Sequence, residues 1–256
     1  MIKLLVEPNA HSGSWNMAVD ESLLELALES EQCTVRVYSW ETATVSLGYF
    51  QNAADFRSLK RFQNLPAVRR LSGGGAILHD REITYSVALT PTHPRSADPT
   101  RLYEIVHAAI IQQLADIGVE VAVRGTDESR SDEPFLCFIR GDPHDILFRG
   151  HKIVGSAQRR RRGAVLQHGS LIIEASPYAS EIPGVLDLVD QPTDLQLPPG
   201  FAGSLGQAIA QSLGTVTRLD QWPDEQDRRV RLLEERYRKI EWSRRTKGTS
   251  KSSDVC

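Results

Sequence analysis

Three strand-like runs follow one another with only short, glycine-containing turns between them. The runs cover residues 145–148, 152–158 and 164–173, and Gly150 and Gly163 fall at the two turns. Along the whole chain, strand patterns outnumber helical patterns and do not alternate with them one for one. The sequence therefore predicts an α+β fold with a mixed, largely antiparallel central sheet flanked by helices, and not a doubly wound parallel sheet.

Other segments have the periodicity of further strands and helices. Strands are also predicted over 2–7, 34–39, 44–47, 67–70, 83–89 and 120–123. Helices are predicted over 15–29, 53–63, 101–118, 201–213 and 225–245. In the first helix, Ser14 is the expected N-cap, and Asp20 and Glu21 are expected to face outward. The polar segment 125–134 is expected to be an exposed loop.

Composition and charge exclude several classes of protein. Hydrophobic residues make up 40% of the 256 residues and charged residues 25%, as in soluble globular proteins. The formal net charge of −3 is unlike that of a protein built to hold nucleic acid. We expect one domain over 1–246 and a disordered tail over 247–256. With neither a signal peptide nor a membrane-spanning run in view, a cytoplasmic location is expected.

The cysteines are few, and no two form a CxxC pair. Cys33, Cys137 and Cys256 therefore argue against a disulfide framework or a cysteine-rich zinc site. Cys137 lies in an apolar segment just after the charged loop. Two interpretations stay open: it is a small buried hydrophobic residue, or it is a nucleophile whose pKa a nearby cation lowers.

A glycine-rich segment follows two arginines. Gly73, Gly74 and Gly75 would let backbone N–H groups approach a ligand, while Arg69 and Arg70 could bind a carboxylate or phosphate. The alternative is a glycine-rich turn flanked by solvated arginines. The segment is neither a Walker A loop nor a GxGxxG motif at a strand–helix junction.

A lysine stands before a strand of small residues. Lys152 precedes Gly155, Ser156 and Ala157, and could lean into a pocket that these residues leave open. An exposed turn lysine is the alternative. His168, on the next predicted strand, is either a ligand-binding residue or a structural histidine.

Together these motifs resemble the biotin/lipoate protein ligase and octanoyltransferase family. The resemblance is collinear and covers residues from about 15 to 173. The matching segments are 16–21, 46–52, 69–76, 79–80, 84–86, 150–158 and 166–170.

The resemblance leaves two chemistries to compare. Lipoate ligases activate a free acid with ATP, whereas LipM-type octanoyltransferases take octanoate from acyl carrier protein through a cysteine thioester. Cys137-Phe138 before the Gly-x-Lys segment favours the transferase. The triple glycine with Ala76 is closer to the ligases, and 139–142 departs from the transferase pattern. An ATP-dependent lipoate ligase is therefore the first alternative, followed by a biotin ligase and a non-catalytic protein that binds lipoyl domains.

The transferase interpretation implies a role for each motif. Cys137 would be the nucleophile, and Lys152 would lower its pKa. The acceptor would be a lysine of a lipoyl domain, such as that of glycine cleavage H protein. No cofactor, metal, nucleic acid or membrane is implied, the protein is expected to be a monomer, and a basic turn over 159–162 could steer docking. The implied substrate-binding residues are Arg70, Ser72, Gly73, Gly74, Gly75, His79, Gly155, Ser156, Ala157 and His168, with Leu47 and Tyr49 as walls of an acyl slot.

Overall fold

The computed structural model describes residues 1–125, 136–139, 141–190, 195–219 and 224–239. Its helices are α1 Gly13–Glu29, α2 Ala53–Ser58, α3 Pro99–Ala115, α4 Phe201–Leu213 and α5 Asp224–Arg238. Its strands are β1 Ile2–Val6, β2 Cys33–Tyr38, β3 Thr44–Leu47, β4 Ala67–Arg69, β5 Ile77–His79, β6 Glu82–Leu89, β7 Ala122–Val123, β8 Ile146–Phe148, β9 His151–Arg161, β10 Ala164–Ile172 and β11 Val216–Leu219.

Eight of these strands form a large central sheet. Their order is β11-β1-β2-β6-β10-β9-β8-β7, and every neighbouring pair is antiparallel except β1 with β11 and β1 with β2. The remaining three strands form a small sheet in the order β4-β3-β5. The predicted α+β class with a mixed, largely antiparallel sheet is confirmed.

Glycine turns set the geometry of the hairpins at one end of the large sheet. Gly150 and Gly163 have φ values of +80° and +87°, a backbone region that glycine enters without steric cost. Gly150 connects β8 to β9, and Gly163 connects β9 to β10. Both positions match the turns predicted from the sequence. The basic turn expected over 159–162 is shorter, because Arg159–Arg161 belong to β9 and the turn is formed by Arg162 and Gly163.

Helices cover both faces of the central sheet. Apolar side chains of α3 and α4 pack on one face, against residues such as Val87 of β6. Residues of α1 and α5 pack on the other face, where Ala88 and Leu166 contribute. A third apolar cluster joins the small sheet to Leu136 and Phe138. The small sheet therefore lies beside the α1 face and carries the glycine loop to it.

The prediction that α1 turns Asp20 and Glu21 outward is wrong. Both carboxylates are buried. Asp20 lies 3.1 Å from Arg36 of β2, and Glu21 accepts a hydrogen bond of 2.7 Å from Tyr237 of α5. The helix also begins earlier than expected, at Gly13. Its N-cap is Ser12, whose hydroxyl accepts the N–H of the third helical residue.

Smaller differences concern element boundaries. The strands β5 and β11 are not predicted, because three or four residues carry little periodicity. The predicted helix 53–63 divides into α2 and a 3-10 turn at Lys60–Phe62. The expected tail 247–256 with Cys256, most of the expected loop 125–134 and the last part of the predicted helix 225–245 lie outside the described residues. No helix among the described residues is long and apolar enough to cross a membrane.

Candidate active site

The small sheet brings the glycine loop into contact with Cys137. The loop connects β4 to β5, and Ala76 at its end forms a parallel bridge with Leu136. The Cys137 N–H donates to the Ala76 carbonyl at 2.7 Å. Cys137 also begins a 3-10 turn that ends at Ile139. Its backbone is therefore fixed on both sides, and its thiol is half-buried.

Lys152 of β9 reaches the same thiol. Its Nζ lies 3.9 Å from the Cys137 Sγ and donates to the Cys137 carbonyl at 3.2 Å. The ammonium also lies 5.1 Å from the centre of the Phe138 ring. The two residues expected to be catalytic are thus adjacent in space, and a cation at this distance stabilises a thiolate.

A β-bulge lets Gly155 share a face with Lys152. Between β8 and β9 the register moves from Leu147 opposite Lys152 to Ile146 opposite Val154, which leaves Ile153 as the extra residue. A Cβ on Gly155 would lie only 2.6 Å from the Lys152 Cε. Glycine is therefore required here so that the lysine side chain can reach the cysteine.

Asp145 is a part of the site that the sequence analysis missed. Its Oδ1 lies 2.8 Å from the Lys152 Nζ, and both side chains are only 3% exposed. Burial raises the pKa of Asp145, and the ammonium acts in the opposite direction. The signal in the sequence was an acidic residue at the start of 145–148, the predicted strand that precedes the one with Lys152.

Arg70 is fully buried beneath the glycine loop. Its guanidinium donates to the carbonyl oxygens of Ser46, Gly73 and Gly75 at 2.6–2.8 Å, and to the hydroxyls of Ser46 and Ser72 at 3.2 Å. All of these acceptors are neutral. Burial lowers the pKa of Arg70 to about 10, whereas Cys137 acts to raise it. The arginine remains charged at neutral pH and shapes the loop that supports the cysteine.

His168 ties the start of the glycine loop to α1. Its Nε2 shares a hydrogen bond with the Ser72 hydroxyl, and its Nδ1 lies 3.3 Å from the Asp20 carboxylate. Burial lowers the pKa of His168, and Asp20 opposes that effect. Its two ring nitrogens are both engaged, so the histidine holds Ser72 in place.

His79 is engaged in a similar way. Its Nε2 lies 2.7 Å from the Ser46 hydroxyl, its Nδ1 lies 2.6 Å from Glu82, and its ring stacks on Trp40 at 3.8 Å. These contacts favour a role for His79 in orienting the site.

Ser156 differs from the other expected substrate-binding residues. Its hydroxyl lies 2.6 Å from the Tyr85 hydroxyl and 2.7 Å from the Nε2 of His107, a residue of α3. The side chain therefore faces the α3 side of the sheet, away from Cys137, and only its backbone could contribute to an oxyanion site. Ala157 pairs with His168 across β9 and β10.

A small cavity lies between α1, β10 and the small sheet, beside Arg70. Neither Leu47 nor Tyr49, the expected walls of an acyl slot, is among its lining residues, and Leu47 lines a separate groove. The lining includes three of the expected substrate-binding side chains. The residues around the cavity are Met17, Tyr38, Arg70, Ile77, His79, Thr84, His168, Gly169 and Ser170.

Comparison with known proteins identifies the family. The family described as "Lipoyl protein ligase A/B catalytic domain" matches residues 12–194. Octanoyltransferase LipM of Brevibacillus brevis is 37% identical over 175 residues, which are 64% of this chain and 63% of that protein. Octanoyltransferase LipM of Bacillus subtilis is 35% identical over 174 residues, 64% of this chain and 62% of that protein. The matched region thus spans less than two thirds of each of these two relatives.

Solved structures agree on the fold. A bi-partite lipoate protein ligase from Thermoplasma acidophilum has a TM-score of 0.71 at 19% identity, and covers 99% of this chain and 98% of its own. A lipoate-protein ligase A bound with ATP has a TM-score of 0.70 at 21% identity, covering 94% and 98%. These likenesses concern the fold, while the family match covers most of the chain and includes every motif that forms the site. The chain belongs to the lipoyl protein ligase A/B catalytic domain family.

Proposed function

We propose that this chain is an octanoyltransferase that moves an octanoyl group from acyl carrier protein to a lysine of a lipoyl domain, through a thioester on Cys137. The observation that carries the proposal is the 3.9 Å approach of the Lys152 Nζ to the Cys137 Sγ beside the glycine loop. A nucleophilic thiol next to a buried cation suits covalent acyl transfer. The names of the two relatives support the same activity.

In the first half-reaction, the Cys137 thiolate attacks the carbonyl carbon of the octanoyl thioester. The new carbon–sulfur bond forms as the bond to the carrier thiol breaks, and the carrier leaves as a thiol with the proton that Cys137 gave up. Lys152 and Arg70 place positive charge near the sulfur, which favours the thiolate. One thioester replaces another, so this step needs no external energy source.

In the second half-reaction, the neutral ε-amine of the acceptor lysine attacks the acyl-enzyme. The carbon–sulfur bond to Cys137 breaks, the amide forms, and the proton lost by the amine returns to the sulfur. An amide is more stable than a thioester, so this step is downhill without ATP. We infer that the acyl chain enters at the cavity beside Arg70, between His79 and His168, which must widen to hold it because it now admits little more than one water molecule.

Surface charge supports acidic protein partners. Arg159 lies over the Tyr49 ring at 5.1 Å, and Arg160 and Arg161 are exposed at the end of the same strand. Phe50, next to Tyr49, is 70% exposed and lies over Gly73 of the glycine loop. Positive charge beside an exposed aromatic residue at the rim of the site favours docking of an acidic carrier or lipoyl domain. The proposal includes a cytoplasmic monomer that needs no metal or cofactor.

An ATP-dependent lipoate–protein ligase is the second candidate. The observation in its favour is the loop of Gly73, Gly74 and Gly75 followed by Ala76, which is closer to the ligases. Such an enzyme would not need a reactive thiol at position 137.

Intact mass spectrometry separates the two candidates. After mixing with octanoyl-acyl carrier protein in the absence of ATP, the wild-type chain should gain one octanoyl group, and Cys137→Ser should gain none. Cys33→Ser is the matched control, because Cys33 of β2 is buried beside Thr90. This variant should be acylated like the wild type. Transfer to apo H protein from free lipoate and ATP, with no acyl-enzyme from the carrier, would refute the transferase.

A further inference from the structure

Asp145 and Lys152 form a buried ion pair directly behind the thiol. The Oδ1–Nζ distance is 2.8 Å, and each side chain is 3% exposed. The same Nζ donates to the Cys137 carbonyl and lies 3.9 Å from its sulfur. The lysine is therefore held between a carboxylate on one side and the cysteine on the other.

Asp145 is itself fixed by its surroundings. Its Oδ2 accepts the Asp142 N–H at 2.8 Å and lies 3.5 Å from the Arg124 Nε. Its backbone N–H donates to the Asp142 carbonyl, and its carbonyl accepts the N–H of Arg124. The carboxylate thus sits in a closed turn at the start of β8, and cannot follow the lysine if the lysine moves.

A buried ammonium without a carboxylate partner tends to lose its proton, since burial disfavours the charged form. A neutral amine beside Cys137 would stabilise a thiolate poorly. We propose that Asp145 is a positioning residue of the acyl-transfer site, which keeps Lys152 protonated and directed at the Cys137 sulfur. The inference rests on the proposed function for its purpose, while the pairing itself rests on the geometry.

Lys152 and Arg70 have different electrostatic roles at the site. The charge of Lys152 is partly balanced by Asp145. Arg70, bound by neutral acceptors, supplies net positive charge near the cysteine. Lys152 instead offers a directed N–H to the sulfur or to an oxygen formed on the attacked carbonyl, and Asp145 sets that direction.

Several other charged and titratable groups lie around the pair. Burial lowers the pKa of His107 to about 4 and raises that of Tyr103, and hydrogen bonds from His144 hold that of Asp142 low. Arg70 keeps its proton below its pKa of about 10. The groups near the pair and the thiol, from the small sheet, from α3 and from the loops beside β7 and β8, are Arg70, Tyr103, His107, Arg124, Asp142 and His144.

The test is the pH dependence of Cys137 alkylation by iodoacetamide, followed on the Cys137 peptide by mass spectrometry. In Asp145→Asn the midpoint should move to higher pH, and the rate at neutral pH should fall about tenfold, which corresponds to about one pKa unit. Asp145→Glu should recover part of the loss. Asp142→Asn removes an equal charge from the same turn without contacting the ammonium, and should shift the midpoint much less than Asp145→Asn does. An unchanged or lowered midpoint in Asp145→Asn would overturn the proposal.

A double variant keeps the test decisive if Asp145→Asn folds poorly. Lys152→Met combined with Asp145→Asn removes both charges of the pair, and its alkylation midpoint should be no higher than that of Lys152→Met alone. A further upward shift in the double variant would mean that Asp145 acts on the thiol without the lysine, and the proposal would be wrong. Alkylation needs no acyl donor, so failure of acyl transfer alone would refute the proposed function and leave the positioning role standing.

Discussion

Two fully buried arginines are held in opposite ways. Arg36 on β2 contacts the carboxylates of Glu7 at 2.6 Å and Asp20 at 3.1 Å, and those charges raise its pKa against the effect of burial. Among the described residues, Arg70 donates to carbonyl and hydroxyl oxygens and to no carboxylate, and burial lowers its pKa. A buried cation whose charge is balanced stabilises the fold. One held by neutral dipoles keeps an attraction for an anion, and the nearest candidate is the Cys137 thiolate.

The largest expected effect concerns Arg36, the buried arginine whose charge is balanced by carboxylates. Arg36→Met removes the cation that the buried carboxylates of Glu7 and Asp20 contact, which should cost about 3–5 kcal/mol of the free energy of unfolding. Urea denaturation followed by circular dichroism measures the loss. A decrease below about 1 kcal/mol would mean that the balanced charges contribute little to the fold.

A buried histidine held by neutral partners should make the stability of the fold depend on pH. His107 contacts the His144 carbonyl and the Ser156 hydroxyl, and burial lowers its pKa to about 4. The unfolded state then binds more protons between about pH 4 and 6.5, so the stability from His107 is present above pH 6.5 and lost as the pH falls through this window. The loss should approach about 3 kcal/mol in urea titrations. In His107→Gln the slope should flatten; an unchanged slope would contradict the assignment.

Replacing Arg70 tests whether a buried arginine held by neutral oxygens acts on the reaction. Arg70→Met should lower the rate of acyl-enzyme formation about 100-fold, because positive charge at the developing thiolate and oxyanion is lost. The initial rate of mass gain with octanoyl-acyl carrier protein measures it. Arg70→Lys, which keeps a charge, should retain more activity than Arg70→Met. Equal losses in both variants would assign Arg70 to shaping the loop rather than to charge.

The smallest expected effect concerns the reach of Lys152. Gly155→Ala places a methyl group 2.6 Å from the Lys152 Cε and should displace the ammonium from Cys137. We expect acyl-enzyme formation to slow about tenfold, or about 1.4 kcal/mol. Gly203→Ala on α4 is the matched control, since a Cβ there would make only an ordinary van der Waals contact with Arg218, and it should leave the rate unchanged. A wild-type rate in Gly155→Ala would show that the lysine position is not critical.

Several features of the site could be predicted and several could not. Cys137 and Lys152 were identified because they stand in motifs that resemble one family, and their contact spans only 15 residues. Asp145 was missed because an acidic residue at the start of a strand is a weak signal until its partner across the hairpin is known. The direction of Ser156 depends on the bulge at Ile153, which shifts the alternation of side chains along β9.

By itself the sequence determined the hairpins, their glycine turns and the α+β class, because these depend on residues close together in the chain. Only the tertiary structure decided which polar groups are buried together. Glu21 meets Tyr237 across 216 residues, and Arg70 donates to the Ser46 carbonyl across 24 residues. Such distant partners decide whether a buried charge is balanced or remains able to attract a ligand. Burial without a partner is costly, whereas a paired charge exerts little attraction on other groups.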